Sequence, residues 1–153
     1  NWSWDGVSFI MLAPGKEAAF RSNNDNSCVL KVIAKQGSIL LTGDIEKNTE
    51  AWLIENYYSD LLSDILIVPH HGSKTSSTHA FLQAVSPIYA LIPSGYKNRF
   101  GFPHQTVIER LNDLNIDWLD TGRHGALTVT MTKNSLKLDA QRLAHRRYWH
   151  ANH

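Results

Sequence analysis

A run of four apolar residues, Ile65 to Val68, is the feature that most constrains the fold of this 153-residue chain. An uninterrupted stretch of branched apolar side chains predicts a strand covered on both faces, as in a parallel sheet. A second apolar run, Ile39 to Leu41, has the same character. Because each run leads through a glycine-containing turn into a segment of helical composition, we predict an α/β fold in which the two strands are parallel neighbours.

Polar residues follow both runs. Asp44 follows the run Ile39 to Leu41, and His70 and His71 follow the run Ile65 to Val68. The carboxyl ends of parallel strands meet at one edge of a sheet, which is where open α/β sheets bind ligands. A carboxylate facing imidazoles suits either a first-row metal site or general acid/base catalysis. An aspartate before a helix also commonly caps it, so Asp44 has this second interpretation.

The remaining elements follow from periodicity, turn residues and helix signals. Strands are predicted at 7–12, 27–34, 38–42, 65–68, 89–92, 118–119, 126–131 and 135–138, and helices at 45–58, 78–85 and 105–114. Lys35 to Gly37 joins two of these strands and predicts a hairpin. Residues 1–140 are expected to form one compact unit, followed by a tail at 141–153.

Composition excludes several classes of protein. With 15 Lys and Arg against 14 Asp and Glu, the net charge does not by itself indicate a nucleic-acid partner. No stretch approaches the roughly 20 apolar residues of a membrane span. A single cysteine, Cys28, excludes an internal disulfide and a cysteine-based zinc cluster. Because Cys28 begins the apolar run that continues through Leu30, we predict that it is buried and structural.

A loop of small residues after the histidine pair is a candidate phosphate-binding site. It contains Gly72, Ser73, Lys74, Thr75 and Ser76 and precedes a predicted helix. Backbone amides at a helix start favour an anion, and the lysine adds a mobile positive charge. An ordinary capping loop explains the same residues equally well.

Two further polar clusters have functional and structural interpretations. Asn98 and Arg99 precede His104, which begins a predicted helix and could exchange a proton with a leaving group. The tail interleaves cations with aromatic residues, including Arg142, Tyr148 and Trp149. Such a tail could hold a phosphate backbone and stack bases, but a chain terminus with this composition is more often a solvated end.

Three strings carry a resemblance to a known family. They are LLTGDIE at 40–46, VPHHGSKTSS at 68–77 and NRFGFPH at 98–104. In this order and at this spacing they resemble the C-terminal metallo-β-lactamase-like domain of the ComEC family of competence and DNA-internalisation proteins. The resemblance runs from about Asp5 to Val129. It implies that the fold is part of a metallo-β-lactamase-like αββα sandwich.

The resemblance also implies roles for individual residues. The implied metal ligands are Asp44, His70 and His71, with His70 favoured within the histidine pair. The implied catalytic residues are Asp44, His70 and His104. The implied substrate and phosphate contacts are Gly72, Ser73, Lys74, Thr75, Asn98 and Arg99. The implied cofactor is a divalent metal, zinc or manganese, in the intact domain.

The sequence departs from the family pattern in two places. The superfamily supplies most of its ligands from an upstream His-x-His-x-Asp-His loop, and no such string is present. The chain therefore corresponds to the C-terminal portion of such a domain, and by itself we expect it to be inactive and without metal. Phe102 also stands where the family commonly has a histidine.

The implied function is in bacterial DNA uptake. The intact domain would hydrolyse the DNA strand that is not transported, on the periplasmic side of the inner membrane, next to the membrane channel portion of its parent protein. This chain would contact single-stranded DNA without inserting into the membrane. Two alternatives stay open, a non-catalytic module that guides single-stranded DNA and a phosphoesterase for a small or cell-wall substrate.

Overall fold

A seven-stranded mixed sheet is the largest element of the computed structural model, which describes residues 1–15, 22–132 and 135–145. The strands are β1 (Trp2–Trp4), β2 (Val7–Ala13), β3 (Val29–Ala34), β4 (Gly37–Leu41), β5 (Ile65–Ile67), β6 (Tyr89–Ile92), β7 (Asp117–Asp120), β8 (Leu127–Thr132) and β9 (Ser135–Ala140). The helices are α1 (Lys47–Leu61), α2 (His79–Val85), α3 (Gln105–Asp113), α4 (Thr121–His124) and α5 (Gln141–Ala144). The predicted α/β class is confirmed.

The first four strands form the antiparallel half of the sheet. They pair in sequence order, and β3 joins β4 with Ala34 opposite Gly37. This confirms the predicted hairpin, which closes through a two-residue loop. Strands β8 and β9 form a separate antiparallel ribbon. Among the described residues no helix has both the length and the apolar character needed to cross a membrane.

The last four strands of the large sheet form its parallel half. Leu41 of β4, Ile67 of β5, Leu91 of β6 and Leu119 of β7 lie in register. Helices α1, α2 and α3 connect these strands in turn. The prediction that the strands before Asp44 and before the histidine pair are parallel neighbours is therefore confirmed. All four carboxyl ends lie at one edge, which we call the rim.

Apolar side chains from the strands and helices form one core. Leu40, Leu66 and Ile92 come from neighbouring parallel strands, and Phe81 and Leu111 come from α2 and α3; all five have no exposed surface. Removing such a side chain from water contributes about 1.5–3 kcal/mol. This burial fixes the parallel strands in register and so determines where the rim residues lie.

A distant aspartate stabilises the start of α1. Asp25, which is fully buried, accepts hydrogen bonds from the backbone amides of Glu46 at 2.9 Å and Thr49 at 3.3 Å, and from the side chain of Asn48 at 3.0 Å. Asp25 therefore does the work of a helix cap from another loop. The interpretation of Asp44 as that cap is wrong, and its carboxylate is not used by the helix.

The prediction that Cys28 is buried is also wrong, since its side chain is exposed. Successive side chains of a strand point to opposite faces, and Val29 and Lys31 take the buried face of β3. Cys28 and Leu30 fall on the other face. Residues 146–153 of the predicted basic and aromatic tail lie outside the described residues, while 141–144 form α5.

Replacing Asp25 should destabilise the fold. We expect Asp25→Ala to lower the free energy of unfolding by about 1–3 kcal/mol, because the start of α1 and the hydroxyl of Thr49 lose buried acceptors. Urea unfolding of Asp25→Ala and of Asp113→Ala, an exposed aspartate at the end of α3, provides the comparison. The control should change stability by less than about 0.5 kcal/mol. Equal losses in the two variants would contradict this role.

Candidate functional site

Asp44 and His71 face each other across the rim. Asp44 follows β4 and His71 follows β5, and the carboxylate Oδ1 lies 3.6 Å from the imidazole Nε2. Both side chains are close to half exposed. The pair therefore lies where solvent and a ligand can reach it, at the edge predicted from the two apolar runs.

A backbone hydrogen bond fixes the orientation of the His71 ring. Its Nδ1 lies 2.7 Å from the carbonyl oxygen of Pro93, just beyond β6. A carbonyl oxygen only accepts, so Nδ1 carries the proton, and in the neutral ring Nε2 keeps its lone pair. That lone pair is on the ring nitrogen nearest to Asp44. Metal-binding histidines in proteins are commonly oriented in this way.

The histidine pair lies in an unusual backbone conformation. His70 and His71 have φ of 49° and 55°, and Gly72 has φ of 82°. Left-handed backbone is uncommon for residues other than glycine and persists where the surroundings hold it. The His70 amide donates to the carbonyl of Gly43, and the His104 amide donates to the carbonyl of Gly72. These bonds anchor the turn to the loops that follow β4 and precede α3.

Gly72 is required by close packing as well as by its backbone conformation. A Cβ at this position would lie 2.7 Å from the Cβ of Pro103. No side chain could occupy that space without displacing one of the two loops. The turn after β5 and the segment before α3 are therefore in direct backbone contact.

His70 does not face Asp44. Its Nδ1 lies 3.4 Å from Oε1 of Glu46, but without the geometry of a hydrogen bond, and this buried nitrogen has no hydrogen-bond partner among the described residues. Its ring lies edge-on to Phe102, with centroids 5.9 Å apart. The sequence favoured His70 as the ligand, whereas the structure places His71 beside the carboxylate. Both ligand roles stay predictions.

The donors at the rim suit two positions of a metal site. Two ligand atoms on one tetrahedral ion, each bonded at about 2.0–2.2 Å, lie about 3.4 Å apart, close to the 3.6 Å between Asp44 and His71. Among residues 1–15, 22–132 and 135–145, no group of three or more His, Cys, Asp or Glu side chains could hold an ion. A catalytic zinc site keeps three protein ligands. The described donors therefore fit part of a site.

The loop after Gly72 uses most of its polar groups internally. The hydroxyl of Thr75 donates to Glu46, and that of Ser76 donates to the carbonyl of Ile45. Ser73 is buried and its hydroxyl contacts that of Thr75. Lys74, in contrast, is exposed. Phosphate binding by Gly72, Ser73, Lys74 and Thr75 stays a prediction, and the lysine is the charged group of this loop that a ligand reaches most easily.

The end of this loop is held by two charged residues that were not predicted from the sequence. The buried carboxylate of Glu50 in α1 accepts from the backbone amides of Ser77 and Thr78. The guanidinium of Arg110 in α3 donates to the carbonyls of Ser76 and Ser77. Burial raises the pKa of Glu50, and these amides and Arg110 partly oppose that rise. The available signal was spacing, because Glu50 stands three and seven positions before Leu53 and Tyr57, which face the core.

Asn98 builds the loop between β6 and α3. Its amide group donates to the carbonyls of Gly95 and Phe102, and its oxygen accepts from the Phe102 amide. Its predicted phosphate contact stays a prediction. In the structure the side chain is bonded to these backbone groups instead. Beside it, the guanidinium of Arg99 lies 4.8 Å from the ring centroid of Phe100.

His104 caps the helix that it begins. Its Nδ1 accepts from the backbone amide of Thr106, so the neutral ring carries its proton on Nε2. This agrees with the sequence prediction that His104 begins a helix. Its predicted exchange of a proton with a leaving group would use Nε2.

An open cleft of about 380 Å³ adjoins the site beyond β6 and β7. Its lining residues are Ser94, Gly95, Tyr96, Lys97, Asn98, Gly101, Phe102, Pro103, Asp120, Gly122 and Arg123. Ser94 follows Pro93, the residue that orients His71, and its hydroxyl donates to Oδ1 of Asp120 at 3.3 Å. Asp120 was not among the residues predicted for the site, although its position at the end of a strand was the available signal.

The pH dependence of stability should report on Glu50. Because burial raises the pKa of Glu50 above its ordinary value of 4.5, the folded protein retains this proton at pH values where the unfolded chain has lost it. Its contribution is complete below that ordinary value and is lost as pH rises through the raised pKa.

We therefore expect the stability of the wild type, relative to Glu50→Gln, to fall as pH rises from about 4 towards neutrality. Urea unfolding across this range measures the difference, in which all other titrating groups cancel. Glu55→Gln, an exposed change on the same helix, should follow the wild type. Parallel profiles for the wild type and Glu50→Gln would show that the prediction is wrong.

Sequence comparison identifies relatives with informative names. The chain is 40% identical over 150 residues to "Competence protein ComA" of Neisseria gonorrhoeae, covering 97% of this chain and 21% of the relative. It is 35% identical over 144 residues to "Recombination protein 2" of Haemophilus influenzae, covering 93% and 18%. It is 38% identical over 106 residues to "ComE operon protein 3" of Bacillus subtilis, covering 69% and 14%. No protein-family model matches the chain.

The chain thus spans about a fifth or less of the length of these relatives. The matched segments cover most of the chain, including all or most of the parallel half of the sheet. At 35–40% identity, the similarity to these named relatives supports the interpretation that this chain comes from a competence protein.

Proposed function

We propose that this chain forms part of a metal-dependent phosphodiesterase that hydrolyses a DNA strand during natural transformation. One observation carries the proposal. Asp44 Oδ1 and His71 Nε2 face each other 3.6 Å apart, and the hydrogen bond from His71 Nδ1 to the Pro93 carbonyl leaves the lone pair of Nε2 free to bind a metal. The similarity to competence proteins supports DNA as the substrate.

Asp44 and His71 would hold a divalent metal, zinc or manganese, together with ligands from outside the described residues. When bound, such an ion acidifies water and polarises a phosphoryl oxygen. His70 lies between Glu46 and Phe102, where it would contact the substrate or help to orient the site. The left-handed turn at 70–72 fixes both imidazoles before a substrate arrives.

The other rim residues would bind the phosphodiester and its leaving group. Lys74 and Arg99 supply positive charge for the non-bridging oxygens. As the oxygen of water bonds to phosphorus, the bond to the leaving oxygen breaks and the proton that the water loses passes to that oxygen, to which Nε2–H of the neutral His104 ring would donate a hydrogen bond. Backbone contact between Gly72 and His104 keeps this proton donor next to the histidine turn.

The setting that we propose follows the family resemblance. The seven-stranded sheet would be one part of a metallo-β-lactamase-like αββα sandwich. The domain would lie on the periplasmic side of the bacterial inner membrane, beside the channel portion of its parent protein. Its substrate would be the strand of DNA that is not transported.

A second candidate function is a module that guides single-stranded DNA without cleaving it. One observation favours it, because the described residues contain no group of three metal-binding side chains. In that case Lys74 and Arg99 would bind phosphates by charge alone. Binding without cleavage by a metal-loaded protein would distinguish this candidate from the hydrolase.

Cleavage of DNA tests the hydrolase. We expect the intact domain, with its upstream residues, to cleave single-stranded DNA with manganese or zinc, and Asp44→Ala to lower the rate at least about 100-fold. The matched control is His79→Ala, an exposed change at the start of α2 that should retain the wild-type rate. A folded, metal-loaded wild type without activity on DNA would exclude the DNA hydrolase and leave the guiding module or a phosphoesterase for a small or cell-wall substrate.

Metal affinity separates the two histidines. We expect His71→Ala to weaken zinc binding by the intact domain at least about tenfold, because it removes a nitrogen ligand. His70→Ala should have the smaller effect, since its ring faces Glu46 and Phe102 instead of Asp44. Competition against a chromogenic chelator measures both affinities. The opposite order would restore the ligand assignment that the sequence favoured.

A further inference from the structure

Aromatic rings form a row that leads from solvent to the histidine pair. The guanidinium of Arg99 lies 4.8 Å from the ring centroid of Phe100, and the rings of Phe100 and Phe102 stack with centroids 5.5 Å apart and an interplanar angle of 19°. Phe102 then contacts the ring of His70 edge-on at 5.9 Å. We call Phe100 and Phe102 the aromatic row. Phe100 is 63% exposed, which is a large apolar surface to leave in water beside a polar site.

The loop that carries the row is built to hold its shape. Asn98 both donates to and accepts from the backbone of Phe102, at 2.7 and 2.9 Å. Gly101 adopts φ of 68° between the two phenylalanines, and nothing lies within 4 Å of where its Cβ would be. The backbone bend there brings rings two positions apart into a stack. An ordered aromatic surface loses little entropy when a flat ligand stacks on it.

The charge around the row is positive. No carboxylate occurs in the sequence between Ile92 and Ile108, whereas Lys97 and Arg99 flank the row and Arg123 lines the adjoining cleft. Asp120 also lines the cleft but is only 2% exposed, and its Oδ1 accepts from the Arg123 amide. The accessible charged groups of residues 93–107 and of the cleft are therefore cationic and complement a polyanion, whereas the carboxylates of Asp44 and Glu46 lie beyond Phe102, beside the histidine pair.

Aromatic faces combined with cations match the chemistry of a single-stranded polynucleotide. Unpaired bases stack on aromatic rings whatever their identity, while cations follow the backbone phosphates. A duplex has its bases already stacked and offers no free face. A cleft of about 380 Å³ is within the usual range for a small-molecule site and has room for a nucleotide beside the row.

We propose that the aromatic row is a base-stacking platform for single-stranded DNA. A base stacks on Phe100 in place of the guanidinium of Arg99, its neighbour enters the cleft beside Phe102, and the phosphate between them is directed towards Asp44 and His71. The direction of the strand rests on the proposed function, but binding to the platform does not. Phe100 and Phe102 are on this proposal positioning residues that place a phosphodiester.

Binding without metal tests the platform separately from hydrolysis. Fluorescence anisotropy with a labelled single-stranded DNA of about 15 nucleotides, in EDTA, gives the Kd of this chain. We expect Phe100→Leu, which keeps an apolar side chain without an aromatic face, to raise the Kd by about five- to 150-fold. Phe100→Tyr, which keeps an aromatic face, should bind with an affinity close to that of the wild type. Tyr58→Leu is the control, since it removes an exposed aromatic residue near the C-terminal end of α1.

A strand of the same length without bases separates stacking from charge. It should bind the wild type weakly and be insensitive to Phe100→Leu, while Arg99→Gln should reduce the slope of log Kd against log salt for both strands. Unchanged affinity in Phe100→Leu, equal losses on both strands, or no binding of DNA by the wild type would each overturn the proposal. None of these results depends on cleavage, so failure of the hydrolase would appear only in the metal-dependent assay.

Discussion

Parallel pairing of β4, β5, β6 and β7 is the constraint on which the rest of the structure depends. With Leu41, Ile67, Leu91 and Leu119 in register, the chain leaves four adjacent strands at the same height. Residues that are far apart in sequence therefore meet without any contact of their own to bring them together. The carboxylate, the imidazole and the carbonyl that orients it each come from a different strand end, and burial of the strands is what aligns them.

Much of this arrangement follows from the sequence, because uninterrupted apolar runs and turn residues are local signals. The parallel strands, the hairpin after Ala34 and the edge carrying Asp44 were all predictable in this way. The choice between His70 and His71 was not, because it depends on left-handed backbone at both residues. The burial of Asp25 and Glu50 also escaped prediction, since each caps a segment more than 20 positions away.

The polar residues of the site region divide into those that build it and those that stay accessible. Glu50, Arg110 and Asn98 are occupied by backbone groups, and they hold the two loops that flank the histidines. The side chains of Lys74 and Asp44 stay accessible to solvent. Residue type alone does not separate these groups, since each contains a carboxylate and a cation. The difference depends on tertiary contacts that only the folded chain supplies.

The contact between Gly72 and Pro103 joins two loops into one body. A Cβ at Gly72 would lie 2.7 Å from the Cβ of Pro103, and the His104 amide donates to the Gly72 carbonyl. A shift of either loop therefore disturbs the other. These two contacts set the position of the imidazoles after β5 relative to the aromatic segment before α3. Lengthening either loop by one residue would therefore alter the spacing between the imidazoles and the aromatic segment.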